Sequence, residues 1–394
     1  MHILFLPSWY PVDSEDLGGS FFREQAIMLH DAGVQVGVIA PRLRPMSRPR
    51  EALLGSSRII VENDSGVMTY RASLANITPR MCRPMAARIA RLSSRMFDAY
   101  RAAHGQPDII HVHSALPAGF GAVDIGKSFQ IPVVLSEHST AFARGLVSAS
   151  GLALAREIAL AATACFAVST PFARRLEEKL ALPHVSVGVM PNPVDTRFLD
   201  APLPIRQQRG KRCQFLHVSL LDEKKNVGQL LDSFARAFAG DDQVSLVIGG
   251  DGPKRREIER RVDSLNIAQQ VTFLGLLSRQ EVLEALQASD AFVLSSRFET
   301  FGVVVVEALA TGLPVIATRC GGPEDIVGAD DGCLVPVDDV DAMAAAMRKI
   351  ADDPAGSDRF ARRARCRERF GPKAISRRWL DIYAEVLAQD RRAG

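Results

Sequence analysis

The sequence predicts an α/β protein of two Rossmann-like, doubly wound parallel-sheet domains, and three observations lead there. Short apolar runs of strand length alternate with helical stretches almost from end to end, the pattern of βαβ units. The 394 residues are long for one hydrophobic core and comfortable for two of about 190 each. A Pro-, Arg- and Gln-rich run at 200–211 breaks the alternation near the midpoint and reads as a linker. The expected division is a first domain at 1–198, a linker at 199–211, a second domain at 212–370, and a final helix, 371–394, that packs on the first domain.

Composition excludes several classes. With 47% hydrophobic and 24% charged residues the chain is ordinary globular protein, and a net charge of +3 without a zinc-finger or RNP pattern gives no reason to expect nucleic acid. The six cysteines are scattered, with no C-x-x-C, which suits a reducing compartment and no structural metal. The opening MHILFLPSWYP lacks a cationic region and its apolar run stops at Pro7, so it reads as a first strand, not a signal peptide. No apolar run reaches the ~18 uncharged residues of a membrane span, and the expected location is cytoplasmic.

Taken in order, a strand at 3–6 runs into a loop ending in Gly18 and Gly19, then a helix at 20–30 and a strand at 34–40. Ligands of such sheets bind at the carboxyl ends of strands, where these glycines would let backbone lie against a sugar or phosphate; a glycine pair can equally mark a plain flexible loop. The run 41–50, PRLRPMSRPR, reads as an arginine-rich loop without an acid. Arg80, Arg83, Arg88, Arg91, Arg95 and Arg101 recur on a helix whose apolar stripe is Met81, Met85, Ile89, Leu92, Met96 and Tyr100. That basic surface suits an anionic membrane face or a pyrophosphate-linked lipid acceptor. Strands at 108–112 and 132–135 lead to His113 in HVHSA and His138 in SEHST; His111 and His113 read as structural.

The second half repeats the alternation, with strands at 213–218, 246–249, 271–275 and 291–295. GGDGP lacks the third glycine of a dinucleotide fingerprint and reads as a turn around Gly250, with Pro253 as the first helical residue. The densest chemistry lies in SRFETFGVVVVEALATGLPVIAT, 296–318. Four valines there favour a strand, but length and the ending EALATG favour a helix after a loop at 298–302. Phe301, Gly302 and Val303 would then offer backbone N–H groups at the positive helix end, which suits a diphosphate. Glu307, about one to two turns in and leaning back, suits a vicinal diol such as ribose, and Glu299 suits hexose hydroxyls; taken alone the pair can equally be one polar residue on an apolar helix and a solvated loop charge. Asp339-x-Asp341 stands where a helix needs its N-cap and reads as a cap before it reads as a metal site.

The Glu-x7-Glu spacing, the E-x-F-G around Glu299 and the following G-x-P-V-I-A-T-x-x-G-G-P-E resemble the signature of retaining GT-B glycosyltransferases, glycosyltransferase family 4. The resemblance implies that Glu299 meets the donor sugar, that the amides through Phe301 and Gly302 meet sugar and diphosphate, and that Glu307 binds ribose. It implies donor contacts for Gly18, Gly19, Gly250 and the backbone at Leu276, a diphosphate contact for Lys225, and a hexose contact for His138. MPNPVD, 190–195, resembles the family's P-N-G-V-D with Pro193 for Gly, and Leu220 stands where the family has an Arg. The implied fold is GT-B, two domains facing across a cleft with the C-terminal helix crossing back.

The implied activity is a metal-independent, retaining transfer of a hexose-type sugar from a UDP- or GDP-sugar to a glycan or lipid-linked acceptor in cell-surface polysaccharide synthesis. The nucleotide sugar is a substrate, so no cofactor is implied, and peripheral contact with the inner face of the cytoplasmic membrane is a further expectation. Two alternatives remain at this point: a nucleotide-sugar 2-epimerase of the same fold, and a non-catalytic partner protein, to which Leu220 lends weight.

Overall fold

The computed structural model describes all residues except 13–17, 46–57, 78–80, 183, 204–212, 353–357 and 394. The chain divides into two compact units, Met1–Pro193 with Ile375–Gly394, and Val194–Ala374. The crossing at Pro193 precedes the expected end at 198, because the short helix Thr196–Asp200 belongs to the second unit. Most of the expected linker lies outside the described residues.

The first unit holds eight strands: β1 (His2–Pro7), β2 (Gln35–Pro45), β3 (Ile60–Asp64), β4 (Val67–Asn76), β5 (Ile109–His113), β6 (Val133–Glu137), β7 (Ala164–Ala167) and β8 (Val187–Val189). Their order is β3-β4-β2-β1-β5-β6-β7-β8, parallel except for the edge strand β3, which pairs antiparallel with β4. That edge hairpin is absent from the sequence reading. The second correction is the run 41–50: its first half is not loop but the continuation of β2, paired from Pro41↔Ala72 to Pro45↔Asn76. The proline positions are tolerated because β1 pairs with β2 only as far as Val38, so beyond it β2 has a neighbour on one side alone. Arg48 and Arg50 of that run, and Arg80, lie outside the described residues.

The arginine-bearing helix, Cys82–His104, packs as its spacing predicts over Ile89, Leu92, Met96 and Tyr100, all buried. Met81, however, is 56% exposed: it is the N-cap, ahead of the first turn of the helix whose apolar face its spacing would extend. The final helix, Pro372–Ala393, buries Ile375, Trp379, Tyr383 and Val386 in the first unit's core with Ile3, Phe5, Val36 and Val134.

The second unit is a six-stranded sheet of β9 (Cys213–Val218), β10 (Val244–Gly249), β11 (Val271–Gly275), β12 (Ala291–Leu294), β13 (Val315–Thr318) and β14 (Gly332–Val335), all parallel, in the order β11-β10-β9-β12-β13-β14. Its core joins Phe215, Leu230, Phe234, Leu246, Ile248 and Val293. Asp339 caps the helix Val340–Asp352, its Oδ1 accepting from the Ala342 N–H at 2.9 Å. Pro253 is not the first helical residue: the helix begins at Arg255, since Gly252 and Pro253 are spent on a turn in which the Lys254 N–H donates to Leu221 O at 2.9 Å. Among the parallel strands of each unit the order reverses once, between β1 and β5 and between β9 and β12, and the carboxyl ends beside such a reversal are where open α/β sheets hold ligands.

Candidate active site

The helix Val303–Ala310 forms despite its valines, which are buried or half-buried on a helix packed from several sides. Gly302 is its N-cap at φ +101°, a left-handed conformation that a side-chain-bearing residue adopts only with strain. Among the described residues, nothing accepts the N–H of Phe301, Gly302 or Val303. The preceding loop is fixed by the CGGPE turn: Glu299 N–H donates to Cys320 O at 3.0 Å, and Gly322 N–H to Glu299 O at 3.0 Å. A Cβ on Gly322 would lie 2.1 Å from Phe301 O, so only glycine lets the two turns touch.

Lys225 and Glu299 meet from opposite sides of the β9/β12 reversal. The Lys225 Nζ donates to Glu299 Oε1 at 2.6 Å, and the Ser296 hydroxyl donates to the same oxygen at 2.7 Å. Burial pushes the Glu299 carboxyl up, but Lys225, Ser296 and Lys224 together outweigh it and hold the group below its ordinary range. The two residues expected to meet diphosphate and sugar are therefore partners of each other here.

Glu307 is 2% exposed, and its partner is a cation from outside its own helix. Its Oε1 accepts from Nη1 of Arg279, whose guanidinium also lies 3.5 Å from Asp195 Oδ2 and over the Phe198 ring at 4.9 Å. Burial drives the Glu307 carboxyl up, with Arg279 opposing. Sequence reading missed Arg279, which follows a different strand.

Gly250 and Leu276 sit on neighbouring strand ends. Gly250 has φ +114°, its N–H donates to Gly275 O at 2.6 Å, and a Cβ there would lie 1.8 Å from Ser219 O. Its glycine is thus demanded by the packing of the loops after β9 and β10. Leu276 is 75% exposed, and Leu220, in place of the family's Arg, is 58% exposed.

In the first unit Gly19 caps the helix Ser20–Asp31 at φ +86° and its carbonyl accepts the Phe22 N–H at 2.9 Å; Gly18 precedes it in the same turn. The Phe22 ring packs 4.8 Å from His138 and 4.7 Å from His113, which brings Gly19 and His138 into one cluster. His113 Nδ1 and His138 Nε2 are 3.3 Å apart, and burial lowers His138 to about 3, so both rings are neutral. His111 is structural, bonded to the Tyr383 hydroxyl at 2.6 Å and the Ser136 hydroxyl at 2.9 Å. A second residue missed in the sequence is Glu137. Fully buried, it accepts the N–H groups of Ala115, His138 and Ser139 at 2.8–2.9 Å and so ties the end of β6 to the loop after β5. Its carboxyl is pushed up by burial against those donors.

Residues 204–367 match the family described as glycosyl transferases group 1, and residues 18–198 match Glycosyltransferase Family 4. N-acetyl-alpha-D-glucosaminyl L-malate synthase of Bacillus anthracis is 30% identical over 297 residues, covering 72% of this chain and 76% of that protein. The chain belongs to the group 1 glycosyltransferases. A second relative, the glycogen synthase of Mycobacterium tuberculosis, is 28% identical over 270 residues; the match covers 66% of this glycosyltransferase and 64% of that enzyme, a little under two thirds of its length. Among solved structures, Anabaena Alr3699/HepE in complex with UDP superposes with a TM-score of 0.71 at 19% identity, over 98% of this chain and all of that one, and shares the GT-B fold. Among the described residues of this glycosyltransferase no helix is long and apolar enough to cross a membrane.

Proposed function

We propose that this glycosyltransferase is a retaining, metal-independent hexosyltransferase that uses a nucleoside-diphosphate sugar. The observation that carries the reading is the set of N–H groups at Phe301, Gly302 and Val303 that no described residue accepts, beside the half-buried Lys225–Glu299 pair at the strand-order reversal.

When the sugar departs, the bond from C1 to the diphosphate breaks and its electron pair passes to the diphosphate oxygen, while positive charge grows on the sugar ring. Helix-end amides and Lys225 stabilise the first charge without reorganising, the role a divalent cation plays in other transferases. Glu299 then serves the hexose hydroxyls, which requires Lys225 to divide its attention between carboxylate and diphosphate. The acceptor hydroxyl forms the new bond to C1 on the face the diphosphate leaves, and its proton goes to a phosphate oxygen. Glu307 takes the ribose, Leu276 backbone the base, and Gly250 permits the loop packing beside them. For the first unit, neutral His138 is the proposed hydrogen-bond partner for a hexose hydroxyl, with Gly18 and Gly19 offering backbone. UDP is the first donor base to try, since it is the nucleotide in the Anabaena protein's title; GDP is the second.

The acceptor is proposed to be a glycan or lipid-linked glycan. Arg91 and Arg95 stand exposed on the helix Cys82–His104, and such a surface favours an anionic leaflet at the inner face of the cytoplasmic membrane. Sedimentation with anionic vesicles tests this, and binding unchanged on replacing Arg88, Arg91 and Arg95 refutes it.

The decisive experiment is a thermal-shift screen of UDP, GDP and ADP followed by transfer assays with the matching glucose and mannose donors, in buffer and in EDTA, with the product anomer read by NMR. Stabilisation by one diphosphate and an α-product that survives EDTA support the proposal. Loss of activity in EDTA or an inverted product overturns it, and free epimer formed without acceptor assigns the epimerase reading instead.

A further inference from the structure

Resting on the reading of Glu307 as the ribose acceptor, we propose that Arg279 is the positioning residue that makes Glu307 selective for ribose: its guanidinium holds Oε1, cancels the carboxylate's charge and leaves Oε2 to receive a ribose hydroxyl.

A carboxylate this deeply buried is costly when alone, and beside a diphosphate it is also repelled. Arg279 answers both problems from a rigid base. It is the first residue of the helix Arg279–Ala288, directly after Ser278, whose side chain and N–H exchange hydrogen bonds with Glu281 in a capping box. The guanidinium plane is steadied by the Phe198 ring and by Asp195, so it cannot swing freely toward a phosphate. Only Oε1 of Glu307 meets Arg279, and among the described residues Oε2 accepts no hydrogen bond. Charge neutralisation and a fixed orientation together turn Glu307 from an anion that would oppose the nucleotide into an aimed acceptor.

The test is calorimetric titration of the full chain with UDP, GDP and ADP, each beside its 2′-deoxy and 3′-deoxy counterparts, on wild type, Glu307→Gln, Arg279→Gln and Arg279→Lys, with thermal midpoints alongside. We expect wild type to prefer at least one ribonucleotide over a deoxy form by about tenfold, and Arg279→Gln to reduce that preference to about twofold or less. Arg279→Lys, which keeps the charge but not the fork, should restore part of it and serves if Arg279→Gln fails to fold. A ribo-to-deoxy ratio in the Arg279 variants equal to that of wild type, with only the thermal midpoint lowered, makes Arg279 a mere strut and overturns the inference. A wild type without ribose preference, a preference that survives Glu307→Gln, or no binding of any of the three nucleotides instead overturns the reading of Glu307 on which it rests.

Discussion

The carboxyl edges of the two sheets solve the problem of buried polar groups in opposite ways. In the second unit charged side chains are paired, Lys225 with Glu299 at the reversal and Arg279 with Glu307, alongside the buried neutral His217 on β9. In the first unit imidazoles are wedged among rings, His113 and His138 against Phe22 and His111 against Trp379, and the one carboxyl beside them, Glu137, is held by backbone N–H groups instead of a cation. Paired charges can be redistributed when an anion arrives, whereas a neutral imidazole donates one hydrogen bond and accepts one without carrying charge. On the proposed reading, the contrast separates an edge that handles the diphosphate's charge from an edge that handles sugar hydroxyls.

Breaking the paired charges should do the most damage. Glu299→Ala is expected to lower kcat by about 100- to 1000-fold, because it removes the proposed sugar contact and leaves the half-buried Lys225 ammonium without its carboxylate partner. A matching loss in Lys225→Ala, and a double variant no worse than either single one, would show that the two act as a unit. His138→Ala should lower kcat by about 100-fold or less, through misplacement of the sugar alone, with little change in donor KM. If it instead exceeds the Glu299 effect, the contrast between the edges is wrong. Glu307→Ala should mainly raise donor KM, by about tenfold, in steady-state kinetics; a fall in kcat at constant KM would mean that its role and that of Glu299 are exchanged.

The mildest test uses acid. Burial lowers His111, His113 and His138 below the ordinary 6.5, so between that value and their folded values the unfolded chain binds protons that the folded chain refuses. Stability from these groups is complete above pH 6.5 and is lost as pH falls, each withheld proton contributing up to about 1.4 kcal/mol per pH unit. Both tryptophans, Trp9 and Trp379, lie in the first unit, so their emission follows that unit's unfolding. Its thermal midpoint should drop steadily from pH 7 to pH 5, and a flat profile would mean that the imidazoles are less buried than they stand here.

Much of this was legible in the chain alone. The strand at 271–275 falls where the apolar run puts it, and the helix from Val303 follows from EALATG against the preference of its valines. What could not be read is whatever depends on a partner far along the chain. Arg279 reaches a carboxylate 28 residues away, and Lys225 one 74 residues away, and no local spacing encodes either meeting. Glu137 hid because its three donors are backbone amides, which every residue but proline carries. The β3–β4 hairpin and the extension of β2 escaped for a related reason: edge pairing is decided by which neighbour is present, and Pro41 and Pro45 signal a break when read without it.

The last helix carries a consequence for how the molecule is made. Trp379 and Tyr383 complete a core whose other walls were laid down at Ile3, Phe5 and Val36, with the whole of the second unit synthesised in between. A nascent chain emerging from the ribosome can close its later half while its earlier half still waits for a wedge of tryptophan and tyrosine. Any cut before Trp379 would therefore cripple the amino-terminal half while leaving its own sequence up to Pro193 intact: the part translated first is the part finished last.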